Sequence, residues 1–166
     1  MTDSSGDAVA LAYSTSFGEG WLAFAGDGVI ELGLPGAKSP YPMIRKAPDQ
    51  VAQLAAELTG YWLGGELPAV SGALVRRAGR TPLTEAIYRR VAGIPAGRTM
   101  TYADVAATVG RPRAARAVGA AMAANRFAPL IPCHRLVGSD GSLRGYAGGL
   151  EMKRYLIAME AGLVHG

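Results

Sequence analysis

The chain holds a single cysteine, Cys133, and two histidines, His134 and His165. One thiol forms no internal disulfide, which excludes a disulfide-stapled secreted scaffold and suits a reducing compartment. One sulfur and two imidazoles are also too few for the spaced ligand sets of a zinc finger or structural metal cluster. Residues 1–80 contain neither residue type, so no metal and no cofactor is expected. No apolar run reaches the ~18 residues of a membrane span, so no membrane partner is expected. The polar, acidic start "MTDSSGDAVA" lacks the basic flank and apolar stretch of a secretory signal, and the expected location is the cytoplasm. Aromatic residues make up only 7% of the chain against 49% hydrophobic residues overall, so the core rests largely on alanine, valine and leucine.

What the chain does have is arginine, unevenly placed. Residues 1–80 carry six Lys/Arg against eight Asp/Glu, a net of −2, and residues 81–166 carry eleven against five, a net of +6, which together give the chain's +4. The only lysines are Lys38, Lys46 and Lys153. Arginine suits forked contacts to phosphates and stacking on bases, so a nucleic-acid partner is one reading of the basic half. Plain solubility is the other.

The pattern along the chain divides near the same place. "VALAYSTSFG", "EGWLAFAGDG" and "VIELGLPG" are short, partly alternating segments broken by Gly and Asp-Gly turn signals, which predicts a small antiparallel meander. In "APDQVAQLAAELTGYWLGG" the period becomes helical through Val51, Leu54, Ala55, Leu58 and Trp62, from Pro48 to the Gly64-Gly65 pair. "ELPAVSGALVRRAGR" reads as one more strand and a linker. "TPLTEAIYRRVAGIPAG" then opens a helix with a threonine cap and Pro82 at its first position. "TYADVAATVG" and "RPRAARAVGAAMAANR" read as two short helices joined around Gly110, a helix-turn-helix in length and spacing. The expected fold class is therefore α+β. An N-terminal domain, residues 1–80, has a small antiparallel sheet with a helix, and a mostly helical C-terminal domain, residues 81–166, has the helix-turn-helix and a short strand bearing the thiol.

The second of those helices has few bulky groups: Ala114, Ala115, Ala117, Gly119 and further alanines surround Arg113 and Arg116. Small residues let a helix backbone lie close to another surface, and arginines near its N-terminus add to a positive end that suits phosphate. Such a helix packs equally well against its own core. The segment "PLIPCHRLVG" places Cys133 next to His134, behind Pro132 and ahead of Gly138. A free cysteine is commonly a small buried hydrophobe. On a regular strand the adjacent His134 side chain points away from it, so a water or a local twist would have to carry a proton between them.

From "TPLTEAIYRRVAGIPAGRTMTYADVAATVG" through "RAARAVGAAMAANRFAPLIPCHRLVG" to "GSLRGYAGGLEMKRYLIAMEAG" the sequence resembles the O6-alkylguanine-DNA alkyltransferases, the methylated-DNA-protein-cysteine methyltransferases. The resemblance implies an irreversible, single-turnover repair step. Cys133, as a thiolate, takes the alkyl group from O6 of a guanine turned out of double-stranded DNA, and the helix-turn-helix binds through the minor groove. By the same resemblance His134 is the base and Glu160 its orienting carboxylate, repeating the order of nucleophile, base and acid. Asn125 holds the turn before the thiol, and Tyr102 assists the departing guanine. Arg116 fills the vacated place in the duplex, on a binding helix that presents Ala114, Ala115, Ala117, Gly119 and Arg113. Arg135 is an ion-pairing group. Leu136, Tyr146, Ala147 and Gly148 form the base pocket, with backbone groups near Cys133, Leu136 and Ala147 reading the guanine edge. The partner implied is duplex DNA containing O6-alkylguanine, bound by a monomer that can cluster cooperatively along it.

Departures from the family pattern are Leu136 in place of valine, Ala147 in place of serine, and Leu83, Thr84 and Tyr88 in the helix after Thr81. Two other classes remain open on the residues. A damage-recognition module without chemistry would lack the reactive cysteine. A transcriptional regulator would want hydrogen-bonding side chains on the recognition helix instead of alanines. A cysteine hydrolase, more distant, would turn over many substrate molecules.

Overall fold

A computed structural model of the chain describes residues 7–26 and 28–164. The polar start of the chain, Asp27 of the expected Asp-Gly turn, and His165 lie outside the described residues. The architecture is α+β in two compact units, whose described residues fall within 7–68 and 69–164.

In the first unit, strands β1 (Val9–Thr15), β2 (Gly18–Ala25) and β3 (Gly28–Gly33) form the expected antiparallel meander, with a register shift between Ala23 and Phe24. A two-residue strand β4 (Met43–Ile44) joins the other edge of β1, parallel to it, giving the order β3-β2-β1-β4. Two residues are too few to show alternation, so the sequence pattern did not announce this edge. Helix α1 (Asp49–Trp62) packs against β1 through Val51, Ala55, Leu58, Tyr61 and Trp62, all buried. Leu54, expected on that face, is half-buried. Fully burying one side chain such as Leu58 contributes ~1.5–3 kcal/mol, which is what fixes this face inward.

The second unit starts earlier than the expected boundary at residue 80, because α2 (Gly72–Ala78) belongs to it and packs on α3 (Pro82–Ala92). The strand expected within "ELPAVSGALVRRAGR" is this helix. Ser71 caps it by accepting from the Leu74 N–H at 3.2 Å, and Arg76 and Arg77 sit in its last turn, where cations suit the helix dipole. Helix α3 begins as expected, with Thr81 and Thr84 forming a capping box and Pro82 in the first turn. Its buried face of Ile87, Tyr88 and Val91 supports α4 (Tyr102–Thr108) and α5 (Ala115–Ala123). Those two helices pack on each other across a turn in which Gly110 has φ +72°, a left-handed conformation that favours glycine.

A parallel ladder of two residues each, β5 (Met100–Thr101) and β6 (Leu136–Val137), ties the start of α4 to the segment that follows Cys133. Cys133–Arg135 is itself a turn of 3-10 helix, so the thiol stands one turn ahead of the short strand expected to carry it. Pro132 is the physical reason. It supplies no N–H to a ladder, and its carbonyl instead accepts from the Arg135 N–H at 2.9 Å, closing the turn. Helix α6 (Gly149–Glu160) packs against that turn. Among the described residues no helix is long and apolar enough to cross a membrane.

Candidate active site

Helix α4 begins at Tyr102 immediately after β5, and β5 pairs with β6 three residues after Cys133, so the ladder delivers Tyr102 to the neighbourhood of the thiol. The turn between α5 and the thiol is held by Asn125. Its Nδ2 donates to the Ile131 carbonyl at 2.9 Å and its Oδ1 accepts from the Phe127 N–H at 3.0 Å. These elements enclose a cavity of about 570 Å³ in which Cys133 meets Tyr102, Ala115, Arg116, Gly119, Asn125, Tyr146 and Ala147. A β-carbon added at Gly119 would meet nothing within 4 Å, so that face of α5 is open.

Five further residues named from the sequence lie elsewhere. Arg113 and Ala114 precede the first turn of α5, and Ala117 lies on α5 but off the cavity lining. Leu136 is fully buried opposite Met100. At Gly148 an added β-carbon would come within 2.2 Å of Met152 Sδ, so the close approach this glycine permits is to α6. The lining also contains Ala123, one of the alanines of that helix, and Met122, Ala128, Arg144 and Gly145, which sequence reasoning did not name.

Beside the cavity, His134 is fully buried and its Nε2 lies 2.9 Å from Glu160 Oε1. Arg135 grips the same carboxylate with two bonds, Nε to Oε2 at 2.9 Å and a terminal nitrogen to Oε1 at 2.7 Å, and its other terminal nitrogen donates to the Ile94 carbonyl. A forked arginine of this kind fixes the plane of a carboxylate, and that carboxylate in turn fixes the imidazole. Burial pushes the His134 pKa down, against the pull of Glu160 upward, so the ring is neutral at pH 7. With its proton on Nε2 facing Glu160, Nδ1 is the nitrogen able to accept one.

Burial drives the Cys133 pKa up, and a hydrogen bond from Asn125, the charge of Lys153 and nearby backbone N–H groups oppose it. Burial and the Cys133 charge also raise Tyr102, and Arg144 acts the other way. Lys153 was missed in the sequence. It is 0% exposed, donates to the Arg144 carbonyl at 3.1 Å, and sits 6.0 Å from the centroid of the Tyr102 ring. Lys153 and Glu160 are seven residues apart, two turns along one face of α6, with Met152, Leu156 and Met159 buried around them.

Fold and site define a class of protein with an α+β build in which one buried thiol opens into a cavity walled by a helix-turn-helix and is flanked by a neutral histidine locked to a glutamate. A family profile described as "6-O-methylguanine DNA methyltransferase, DNA binding domain" matches residues 82–162. The chain is 36% identical over 145 residues to a methylated-DNA–protein-cysteine methyltransferase of Mycobacterium bovis, covering 85% of this chain and 86% of that one. A protein of the same name from Salmonella typhimurium is 41% identical over 111 residues, and the match spans 67% of this chain and 64% of the relative's length. A solved structure of Mycobacterium tuberculosis OGT in complex with DNA superposes with a TM-score of 0.78 at 26% identity, covering 95% of each chain. The chain belongs to the methylated-DNA–protein-cysteine methyltransferase family.

Proposed function

We propose that the protein repairs O6-alkylguanine in duplex DNA by moving the alkyl group onto Cys133. The observation that carries this reading is that the chain's one thiol opens into the same cavity as Arg116, Ala115 and Gly119 of the helix-turn-helix, so that a base leaving a duplex bound by α5 enters directly onto sulfur. The unit-cell of chemistry is a displacement at saturated carbon. The sulfur–carbon bond forms as the carbon–O6 bond breaks, the bonding pair leaves with O6, and the proton that sulfur gave up is restored to the guanine ring.

The local geometry supports a role for each group. Neutral His134 takes the thiol proton at Nδ1 through a bridging water, and Glu160, held by Arg135, steadies the resulting imidazolium. Asn125 fixes the turn that carries the sulfur and favours its ionised form. The Tyr102 hydroxyl, its pKa raised by burial, stays protonated and donates to the leaving guanine. Arg116, exposed on α5 at the cavity edge, fills the gap in the stack. The product thioether is a poor leaving group, so each molecule acts once. Intact mass after incubation with duplex containing O6-methylguanine tests this: a gain of one methylene, on the peptide containing Cys133 and never beyond one equivalent, is expected. An unmodified Cys133 in the folded protein would overturn the reading.

A further inference from the structure

Lys153 is out of place by ordinary rules, since a buried ammonium is kept only where a negative charge or several acceptors answer it. It is 0% exposed, and its one hydrogen bond is to a neutral carbonyl, that of Arg144. Among the described residues no carboxylate lies within ion-pair distance of it. Glu160 on the same helix is taken by Arg135 and His134. The neighbours that Lys153 does have converge on the thiol. Its ammonium bonds to the backbone of Arg144 and stands over the Tyr102 ring, and both of those residues line the cavity with Cys133.

We propose that Lys153 is a positioning cation for the reaction, the counter-ion that the Cys133 thiolate acquires when it forms. The inference deepens the alkyl-transfer reading and rests on it only for its purpose. Of the other cations near the cavity, Arg116 and Arg144 are exposed and screened by water, and Arg135 is occupied by Glu160 and the Ile94 carbonyl. The remaining groups facing the sulfur are Tyr88 from α3 and Tyr102 from α4, both neutral, and neutral His134 from its own turn. Among the described residues, a thiolate in this setting therefore has one buried positive charge, Lys153, that no carboxylate already answers. The mutual influence runs both ways: Lys153 pulls the thiol toward ionisation, and a charged Cys133 holds the ammonium protonated against its burial.

The test reads the thiol without DNA. The rate of carboxamidomethylation by iodoacetamide is followed against pH in the full-length protein and in Lys153→Met and Lys153→Arg, alongside thermal melts. A loss of the counter-ion moves the thiol's titration up by a unit or more, so Lys153→Met is expected to react about tenfold more slowly at pH 7 and to recover at high pH. Lys153→Arg should restore most of the rate. A folded Lys153→Met protein with the parental pH profile overturns the inference.

Should Lys153→Met fail to fold, the parent answers alone. With only three lysines, the Lys153 ammonium is assignable by carbon NMR. Its pKa should fall once Cys133 is converted to a neutral thioether, because the coupling between two sites is reciprocal. An unchanged Lys153 titration overturns the inference as well. If the thiol and lysine titrate as a pair but alkylguanine DNA leaves Cys133 unmodified, the repair reading falls and the pairing stands. If alkyl transfer occurs without the pairing, only the pairing falls.

Discussion

Met100 lies opposite Leu136 in a parallel ladder of two residues per strand, and Thr101 lies opposite Val137. This small contact joins segments more than thirty positions apart. It forces the helix-turn-helix to begin at the level of the thiol, because α4 starts at Tyr102, the residue after the ladder, and the Cys133–Arg135 turn ends at the residue before it. Both Tyr102 and Cys133 then face one cavity. The ladder converts a chain position into proximity within that cavity.

Replacing the sulfur is the first test of that arrangement. Cys133→Ser and Cys133→Ala should abolish alkyl transfer from duplex substrate, since neither side chain supplies a thiolate. DNA affinity should stay within about threefold of the parent, because affinity rests chiefly on contacts to phosphates that do not involve the sulfur. A gel-shift titration beside a mass measurement separates the two effects, and transfer by either variant removes Cys133 from its role.

Arg116 distinguishes a reaction on a flipped base from a reaction on a free one. Turning a base out of the stack costs a few kcal/mol, and a side chain filling the gap offsets part of it, so Arg116→Ala should slow duplex repair by about tenfold or more. Reaction with free O6-benzylguanine should change little, because no stack is opened. Equal losses on the two substrates would assign Arg116 to folding or to the pocket.

The parts of this protein that sequence made legible are those in which local chemistry and tertiary position agree. Thr81 with Pro82 announces α3, Gly110 marks the turn between α4 and α5, and Asn125, Cys133 and Tyr146, singled out by the resemblance, line one cavity. The illegible parts depend on partners distant in the chain. β4 exists only because Met43 and Ile44 meet β1, and α2 was read as a strand because Ser71 capping is a weaker signal than the valines around it. Lys153 was overlooked because lysine is usually a solvated residue, and only the fold shows it to be buried. Gly148 was read as room for a base, and the room it leaves is taken by Met152.

Tyr88 carries a prediction about stability. Its hydroxyl donates to the Ala121 carbonyl at 2.7 Å, in the last turn of α5, where carbonyls have no partner within the helix. Tyr88→Phe keeps the ring in the core and leaves that buried carbonyl unanswered, a cost of ~1–3 kcal/mol. For a chain of this size the melting temperature should drop by about 2–12 °C, and calorimetry reads it. No change would mean that water or another donor replaces the hydroxyl.

His134 ties stability to pH, with a sign that its environment decides. Its folded pKa lies below the 6.5 of an unhindered imidazole because the ring is buried, even though Glu160 pulls it upward. Well above pH 6.5 the ring is neutral in both folded and unfolded chains, and the full stability is present. As pH falls through about 6.5 the unfolded chain gains a proton that the folded ring refuses, so stability declines, by at most about 1.4 kcal/mol per pH unit. The decline ends once pH passes below the folded value. Urea denaturation between pH 7 and pH 5, above the range where ordinary carboxylates titrate, should show this slope in the parent protein. His134→Gln should flatten it while lowering stability throughout, because Glu160 then loses the imidazole that it holds alongside Arg135. A parent protein whose stability rises toward pH 5 would mean that His134 is held protonated by Glu160, and the neutral base of the proposed reaction would be lost with it.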